Sequence, residues 1–350
     1  MPSAALENKS DDGAPRDPLP MKRVGVILAL AGALVTGSIA FTVSSYRHEI
    51  AAAEARVSSG SQVIDTPCGS IEYAIVGKGM PLLVVHGAGG GFDQGLEFGR
   101  PLADFGFRVI AMSRFGYLRS SSPADASPAA QADAHACLLD ALKLPKAAIL
   151  GGSAGAPSTI QFCLRHAERC SAMVLLVPAL FPAPRPGEPQ VRPPAAPSFI
   201  LNSILGSDFF FWLNLKLARD TLLERLFATP VRDFESAPPE EQERILRAMR
   251  YALPLGPRQK GLWNDLTIVG STPRYELERL NVPTLVISVE NDLFRIHESS
   301  RHAAQRIPGA RLVSFPTGGH LWVGRQKEVV AEIRAFLSPR QDLKGDPESH

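Results

Sequence analysis

The stretch Ala147-Ala148-Ile149-Leu150-Gly151-Gly152-Ser153-Ala154-Gly155 decides the fold. Its four leading apolar residues read as a short buried strand, and Ala156 to His166 carries helical spacing despite the early Pro157. Between strand and helix lies a G-x-S-x-G pattern. A serine on so sharp a turn has a strained backbone, and the residues two before and two after it must lack side chains for the chain to pass closely. The turn directs the hydroxyl outward at the carboxyl end of the sheet, beside the first free amides of a helix. Ser153 is therefore the candidate nucleophile, with Gly151 and Gly155 shaping its turn. With 29 glycines in the chain the pentapeptide alone is a weak signal, because glycine-rich turns are also common punctuation. Its meaning depends on what flanks it.

Upstream, Pro81 introduces Leu82-Leu83-Val84-Val85, a continuous apolar run expected of a strand covered on both faces. The run ends in His86-Gly87-Ala88-Gly89-Gly90-Gly91, a loop whose bare backbone amides suit an anion. It is not a dinucleotide fingerprint. Position 92 is Phe, so G-x-G-x-x-G fails, and no acidic residue closes a second strand about 20 residues on. Before it, Val63–Thr66 and Ile71–Val76 read as paired strands with Cys68-Gly69 near their turn. Between the glycine loop and the serine turn come a strand over Arg108–Met112 and a helix over Ala129–Leu144. Ala172–Val177 follows as another buried strand. Such alternation implies an α/β fold: a doubly wound, mostly parallel sheet with helices on both faces.

The pattern breaks at Pro178. Pro182 to Pro197 is proline-rich and reads as a linker or surface loop; Ser198 to Phe227 is apolar and helical, with Phe209-Phe210-Phe211-Trp212 bunched together. Helices are expected over Pro239–Tyr251 and Arg258–Val269. Residues 180–275 thus read as a mainly helical insertion, with the sheet occupying 62–179 and 276–338. The bunched aromatics suit ordinary packing or the apolar roof of a substrate pocket. The sheet resumes at Pro283–Ser288, followed by a helix over His297–Arg306, a last strand at Arg311–Phe315 and a closing helix at Gln326–Leu337. Residues 339–350 read as a loose polar tail.

A serine hydroxyl needs a neutral imidazole within hydrogen-bond reach, and that imidazole needs an orienting acid. Ser153, Asp292 and His320 each lie just past the carboxyl end of a parallel strand, and in an open α/β sheet those ends face a common crevice. The order Ser…Asp…His is the one expected of this arrangement. Glu290 and Asp265 are rival acids, but neither holds the position of Asp292 past its strand.

On His86-Gly87-Ala88, Gly151-Gly152-Ser153-Ala154-Gly155, Asp292 and Gly319-His320, the chain resembles the α/β-hydrolase superfamily over residues 62–338. The resemblance implies a serine hydrolase of ester-type bonds whose oxyanion hole is made by the amides of Ala88 and Ala154, and whose insertion caps the active site. It implies no cofactor and no metal, and no metal-ligand cluster is visible in the sequence. His86, with Gly87 and Gly89, is expected to brace the glycine loop. One departure is Ser113-Arg114-Phe115-Gly116-Tyr117, where the family commonly has an acidic Asp-x-x-Gly. Arg114 is expected to pair with a carboxylate, the alternative being a substrate-binding cation. Rival functions are C–C bond hydrolysis of a β-diketone-type substrate, because the glycine loop resembles that branch too, and a catalytically silent binding module of the same fold.

Composition sets the outer limits. A 45% hydrophobic, 21% charged chain of 350 residues supports a large core, and a net charge of +2 without a basic aromatic stripe argues against nucleic acid. Residues 1–23 are polar and expected to be disordered. After Lys22-Arg23, the run Val24 to Val43 is uncharged and matches a bilayer core in length, with 44–61 as a helical or flexible spacer. The excess of Lys9, Arg16, Lys22 and Arg23 over Arg47 and Arg56 favours an inside amino terminus and a catalytic part on the extracytoplasmic side. Ser38-Ile39-Ala40 offers the alternative of signal cleavage and a secreted or periplasmic product. The four cysteines, Cys68, Cys137, Cys163 and Cys170, show no zinc spacing and are expected as core thiols. Cys163 and Cys170 would lie roughly 10 Å apart on a continuous helix, too far for a disulfide.

Overall fold

The computed structural model describes residues 21–180, 203–271 and 275–338. The polar amino terminus up to residue 20, the proline-rich stretch 182–197 and the tail 339–350 lie outside the described residues. The chain divides after Glu49 into two compact units.

The first unit holds most of helix α1, Met21–Ser58. It is one continuous helix that takes in the last three residues of the polar segment and runs through the expected spacer as far as Ser58. Its apolar part is long and uncharged enough to cross a membrane, a property that signal sequences near an amino terminus share. Leu28, Leu30, Leu34, Val35, Ile39 and Phe41 are all exposed.

The second unit is built on an eight-stranded sheet. In chain order its strands are β1 (Gln62–Thr66), β2 (Gly69–Val76), β3 (Met80–Val85), β4 (Phe107–Met112), β5 (Ala147–Gly152), β6 (Cys170–Leu176), β7 (Thr284–Val289) and β8 (Arg311–Phe315). Their spatial order is β1-β2-β4-β3-β5-β6-β7-β8. The first two pairings, β1 with β2 and β2 with β4, are antiparallel, and all the others are parallel.

Because side chains alternate along a strand, the apolar runs feed two cores. Leu83, Val85 and Ile149 pack beneath α3 (Pro128–Ala141), α4 (Ala156–Arg165) and α10 (His297–Arg306). Leu82, Val84, Ala148 and Leu150 face α2 (Phe92–Ala103) and α11 (Gln326–Leu337). Between β6 and β7 stand α5 (Asp208–Leu217), α6 (Arg219–Arg225), α7 (Val231–Glu235), α8 (Pro239–Arg250) and α9 (Gln259–Ser271). Leu222, Leu223, Phe234, Ile245 and Met249 give this helical stretch a small core of its own, which Val323 joins.

The cysteines correct the sequence reading. They form two disulfides, Cys68–Cys137 and Cys163–Cys170, and none is free among the described residues. The separation argument failed because α4 stops at Arg165. His166 leaves helical geometry (φ −126°, ψ 51°) and a short turn over Ala167–Arg169 folds back, bringing the Cα atoms of Cys163 and Cys170 to 5.3 Å. Cys68, at the β1–β2 turn, joins Cys137 on α3.

Candidate active site

Ser153 is the first residue past β5 and adopts φ 46°, left-handed backbone that a residue with a Cβ rarely takes. The close approaches that the turn demands are present. A Cβ on Gly151 would stand 2.3 Å from Thr159 Oγ1 on α4. One on Gly155 would stand 2.7 Å from the carbonyl oxygens of both Val85 and His86. The second contact reaches the end of β3 rather than β5, so Gly155 seats the serine turn against the glycine loop.

Three strand ends then converge. His320 Nε2 lies 2.9 Å from Ser153 Oγ, and its Nδ1 lies 2.6 Å from Asp292 Oδ2. The acid follows β7 and is held by its own turn, with the Phe294 amide donating to Asp292 Oδ1 at 2.8 Å. Asp292 and His320 are buried, and Ser153 is partly exposed. The Phe294 ring meets His320 edge-on, with centroids 5.0 Å apart. The rival acids are engaged elsewhere: Glu290 is exposed and accepts from Ser314, and Asp265 is paired with Arg114.

The helical stretch fixes the two loops that carry acid and imidazole. Ala228 O accepts from the amides of both Leu293 and His320, at 3.0 and 3.2 Å. Asp233 Oδ2 accepts from Asn291 Nδ2 and from the Gly318 amide, while Asn291 Oδ1 accepts from the Gly319 amide at 2.9 Å. Gly319 sits at φ +60°, and a Cβ there would meet Thr229 Cα at 2.6 Å. Sequence reasoning missed Asp233 and Asn291, since nothing local marks a polar residue that acts across 58 positions.

The glycine loop lies against the serine. A Cβ on Gly87 would stand 3.2 Å from Ser153 Cβ. The Gly90 amide donates to Gly87 O, so Ala88 and Gly89 occupy the centre of a turn. Ala88 is exposed, and its amide donates no hydrogen bond among the described residues. Ala154 lies in the first turn after β5, where an amide has no preceding helical carbonyl. Gly87 donates to Gln94 Oε1 at 2.9 Å, and Gly89 to the Tyr117 hydroxyl at 3.2 Å.

His86 braces this loop from beneath. Its Nδ1–H donates to Gly87 O at 2.7 Å, and its Nε2 accepts from the Arg114 amide at 3.0 Å. Full burial, reinforced by the nearby Arg114 cation, holds its pKa well below the usual imidazole range, so the ring stays neutral. The Arg114 side chain takes the structural role. Its Nη1 donates to Asp265 Oδ1 at 2.6 Å and its Nη2 to Asp265 Oδ2 at 2.5 Å, with both side chains buried. Tyr117 donates to the same carboxylate, and Arg114 Nη2 also reaches Gly87 O at 3.1 Å. Among the described residues no group of three or more His, Cys, Asp or Glu side chains is placed to hold a metal ion.

The family model for the alpha/beta hydrolase fold matches residues 80–323, over two thirds of the 350-residue chain. The chain belongs to the α/β-hydrolase fold family. Within that family it is 26% identical over 279 residues to the uncharacterized hydrolase YcgS of Bacillus subtilis (strain 168), covering 76% of this chain and 93% of the relative. It is 28% identical over 269 residues to 2-hydroxy-6-oxononadienedioate/2-hydroxy-6-oxononatrienedioate hydrolase 2 of Pseudomonas putida, covering 71% and 85%. Among solved structures, an alpha/beta hydrolase fold protein from Nakamurella multipartita superposes with a TM-score of 0.63 at 29% identity, covering 79% of this chain and 98% of the other. As an α/β hydrolase the chain is a hydrolase by membership.

Proposed function

We propose that the protein is a membrane-anchored serine hydrolase that cleaves an ester-type bond of a small acyl substrate through Ser153, His320 and Asp292. The observation that carries this reading is the unbroken line Ser153 Oγ–His320–Asp292, with hydrogen-bond distances of 2.9 and 2.6 Å. Ser153 Oγ attacks the acyl carbon while its proton passes to His320 Nε2, and Asp292 stabilises the imidazolium through Nδ1–H. The amides of Ala88 and Ala154 receive the charge that develops on the acyl oxygen, helped by the positive end of α4. His320 then returns the proton to the leaving oxygen, which departs as alcohol. Water, deprotonated by His320, attacks the acyl-enzyme; the acid leaves and Ser153 regains its proton.

Residues 180–275 are the cap of this site in our reading, and the bond pattern from Ala228 and Asp233 to the acid and histidine loops supports it. The body is placed outside the cytoplasm. Two disulfides favour an oxidising compartment, in agreement with the basic flank before the apolar helix.

A second reading is C–C bond hydrolysis, favoured by the Pseudomonas putida relative, whose named substrate is a dicarboxylate. Against it, Arg114 beside the glycine loop is committed to Asp265 and offers no free charge to a substrate carboxylate. Esters of varied chain length and a β-diketone-type substrate, tried on one preparation, separate the two. Ser153→Ala with intact folding should lower ester turnover by on the order of 10⁴-fold or more. Undiminished turnover, or an organophosphate label on another serine, removes Ser153 from the mechanism. A folded preparation that no serine-reactive probe labels would instead indicate a silent binding module. Protease protection of the carboxyl-terminal part in membrane vesicles tests the topology.

A further inference from the structure

The Gly87–Gly90 turn that carries Ala88 is tied to the last turns of α1 through one buried carboxylate. Asp93, in the first turn of α2, accepts two hydrogen bonds from Arg258: Nη1 to Oδ1 at 3.1 Å and Nη2 to Oδ2 at 2.8 Å. The same Oδ2 accepts from Arg56 Nε at 3.1 Å. The side chains of Asp93 and Arg258 are 4% and 0% exposed, that of Arg56 25%.

One carboxylate balances one guanidinium, so a second cation in such a place needs further partners. Backbone carbonyls supply them. Arg258 Nη1 donates to Gly90 O at 2.5 Å and Nε to Pro254 O at 3.1 Å. Arg56 Nη2 donates to Leu253 O, and its guanidinium lies 4.6 Å from the Tyr251 ring centroid. Ala53, one helical turn earlier, is buried. Arg56 thereby fixes the turn that delivers Arg258, and Arg258 grips the carbonyl of Gly90, whose amide closes the turn around Ala88. There is little slack. A Cβ on Gly91 would stand 2.9 Å from Arg258 Nη1, and one on Gly90 would stand 2.7 Å from His86 Nδ1.

From this geometry we propose that Arg56 is a positioning residue for the reaction, acting through Asp93 and Arg258 on the backbone turn that presents the Ala88 amide. The inference rests on the ester-hydrolase reading above, and it makes the last turn of α1, through Arg56, a support for the glycine loop. A displaced amide weakens binding of the developing oxyanion more than binding of the ground-state ester, so the loss belongs in kcat.

The test uses the full chain in detergent, comparing Arg56→Ala, Arg56→Lys and, as a distant control, Arg169→Ala. Arg169 pairs with Asp140 and holds the carbonyls of Leu144 and Pro145, away from the loop. Arg56→Ala should lower kcat for a p-nitrophenyl ester about tenfold with KM changed less than about twofold, a modest form of the losses seen when an oxyanion donor is misplaced. Arg56→Lys should recover part of it. Arg169→Ala should lower Tm and leave kcat unchanged. Hydrogen–deuterium exchange of a peptide covering residues 86–95 should quicken in Arg56→Ala only. Wild-type kcat together with unchanged exchange in Arg56→Ala overturns the proposal, and if that variant fails to fold, the same two readings on Arg56→Lys decide. A wild type that turns over no ester while Arg56→Ala loosens the loop would sink the hydrolase reading and leave the linkage standing.

Discussion

Asp265→Asn probes the buried pair under the glycine loop. The Asp265 carboxylate accepts both Arg114 Nη atoms and the Tyr117 hydroxyl, and the guanidinium is buried, its side chain 5% exposed. Removing one partner of such a pair strands the other charge and costs about 3–5 kcal/mol, far more than an exposed ion pair is worth. For a body of this size roughly 2 °C is lost per kcal/mol, so Tm should fall by about 6–10 °C. Replacing both residues, Arg114→Met with Asp265→Leu, removes the stranded charge and should recover most of that loss, a coupling of about 2 kcal/mol or more in a double-mutant cycle. Denaturant unfolding of the four proteins measures the cycle. Because Arg114 Nη2 also holds Gly87 O, the double variant should regain stability before it regains full kcat. An Asp265→Asn cost under about 1 kcal/mol, or strict additivity, would refute the reasoning and return Arg114 to the role of an available cation.

Other outcomes follow from the same structure. Gly155→Ala drives a Cβ against two backbone carbonyls at 2.7 Å that cannot swing aside, so it should cost about 3 kcal/mol and displace Ser153, read as loss of both Tm and organophosphate labelling rate. His135, fully buried, has its pKa lowered to about 3, chiefly by burial and then by Arg114. Its unfolded form binds a proton below pH ~6.5, so stability should fall as pH drops from there toward 3, by up to about 1.4 kcal/mol per unit. His135→Gln should flatten that slope in Tm against pH. Loop-closure entropy makes the disulfide spanning 69 residues worth about 4 kcal/mol and the one spanning 7 about 2. Cys68→Ser/Cys137→Ser should therefore lower stability more than Cys163→Ser/Cys170→Ser, by denaturant titration.

The amino-acid sequence by itself determined the parallel sheet, the serine turn and the three loops that meet at it. These rest on local signals: unbroken apolar runs, glycines where a Cβ has no room, and the order of strand and helix, which forces strand ends to one edge. The same reasoning named no helix over Phe92–Ala103, a segment that holds the poor helix formers Gly95, Gly99 and Pro101. Gly95 and Gly99 in fact let that helix press onto Ala111 and Val109 of β4. Only the tertiary structure decided the partners of buried charges and thiols: Asp265 for Arg114, Asp93 for Arg258 and Arg56, and Cys170 for Cys163. Spacing along a chain bounds the distance between two groups only while the chain stays regular. Where a helix ends at Arg165, or where 151 residues separate a carboxylate from its guanidinium, the contact is set by packing of the whole sheet and its insertion.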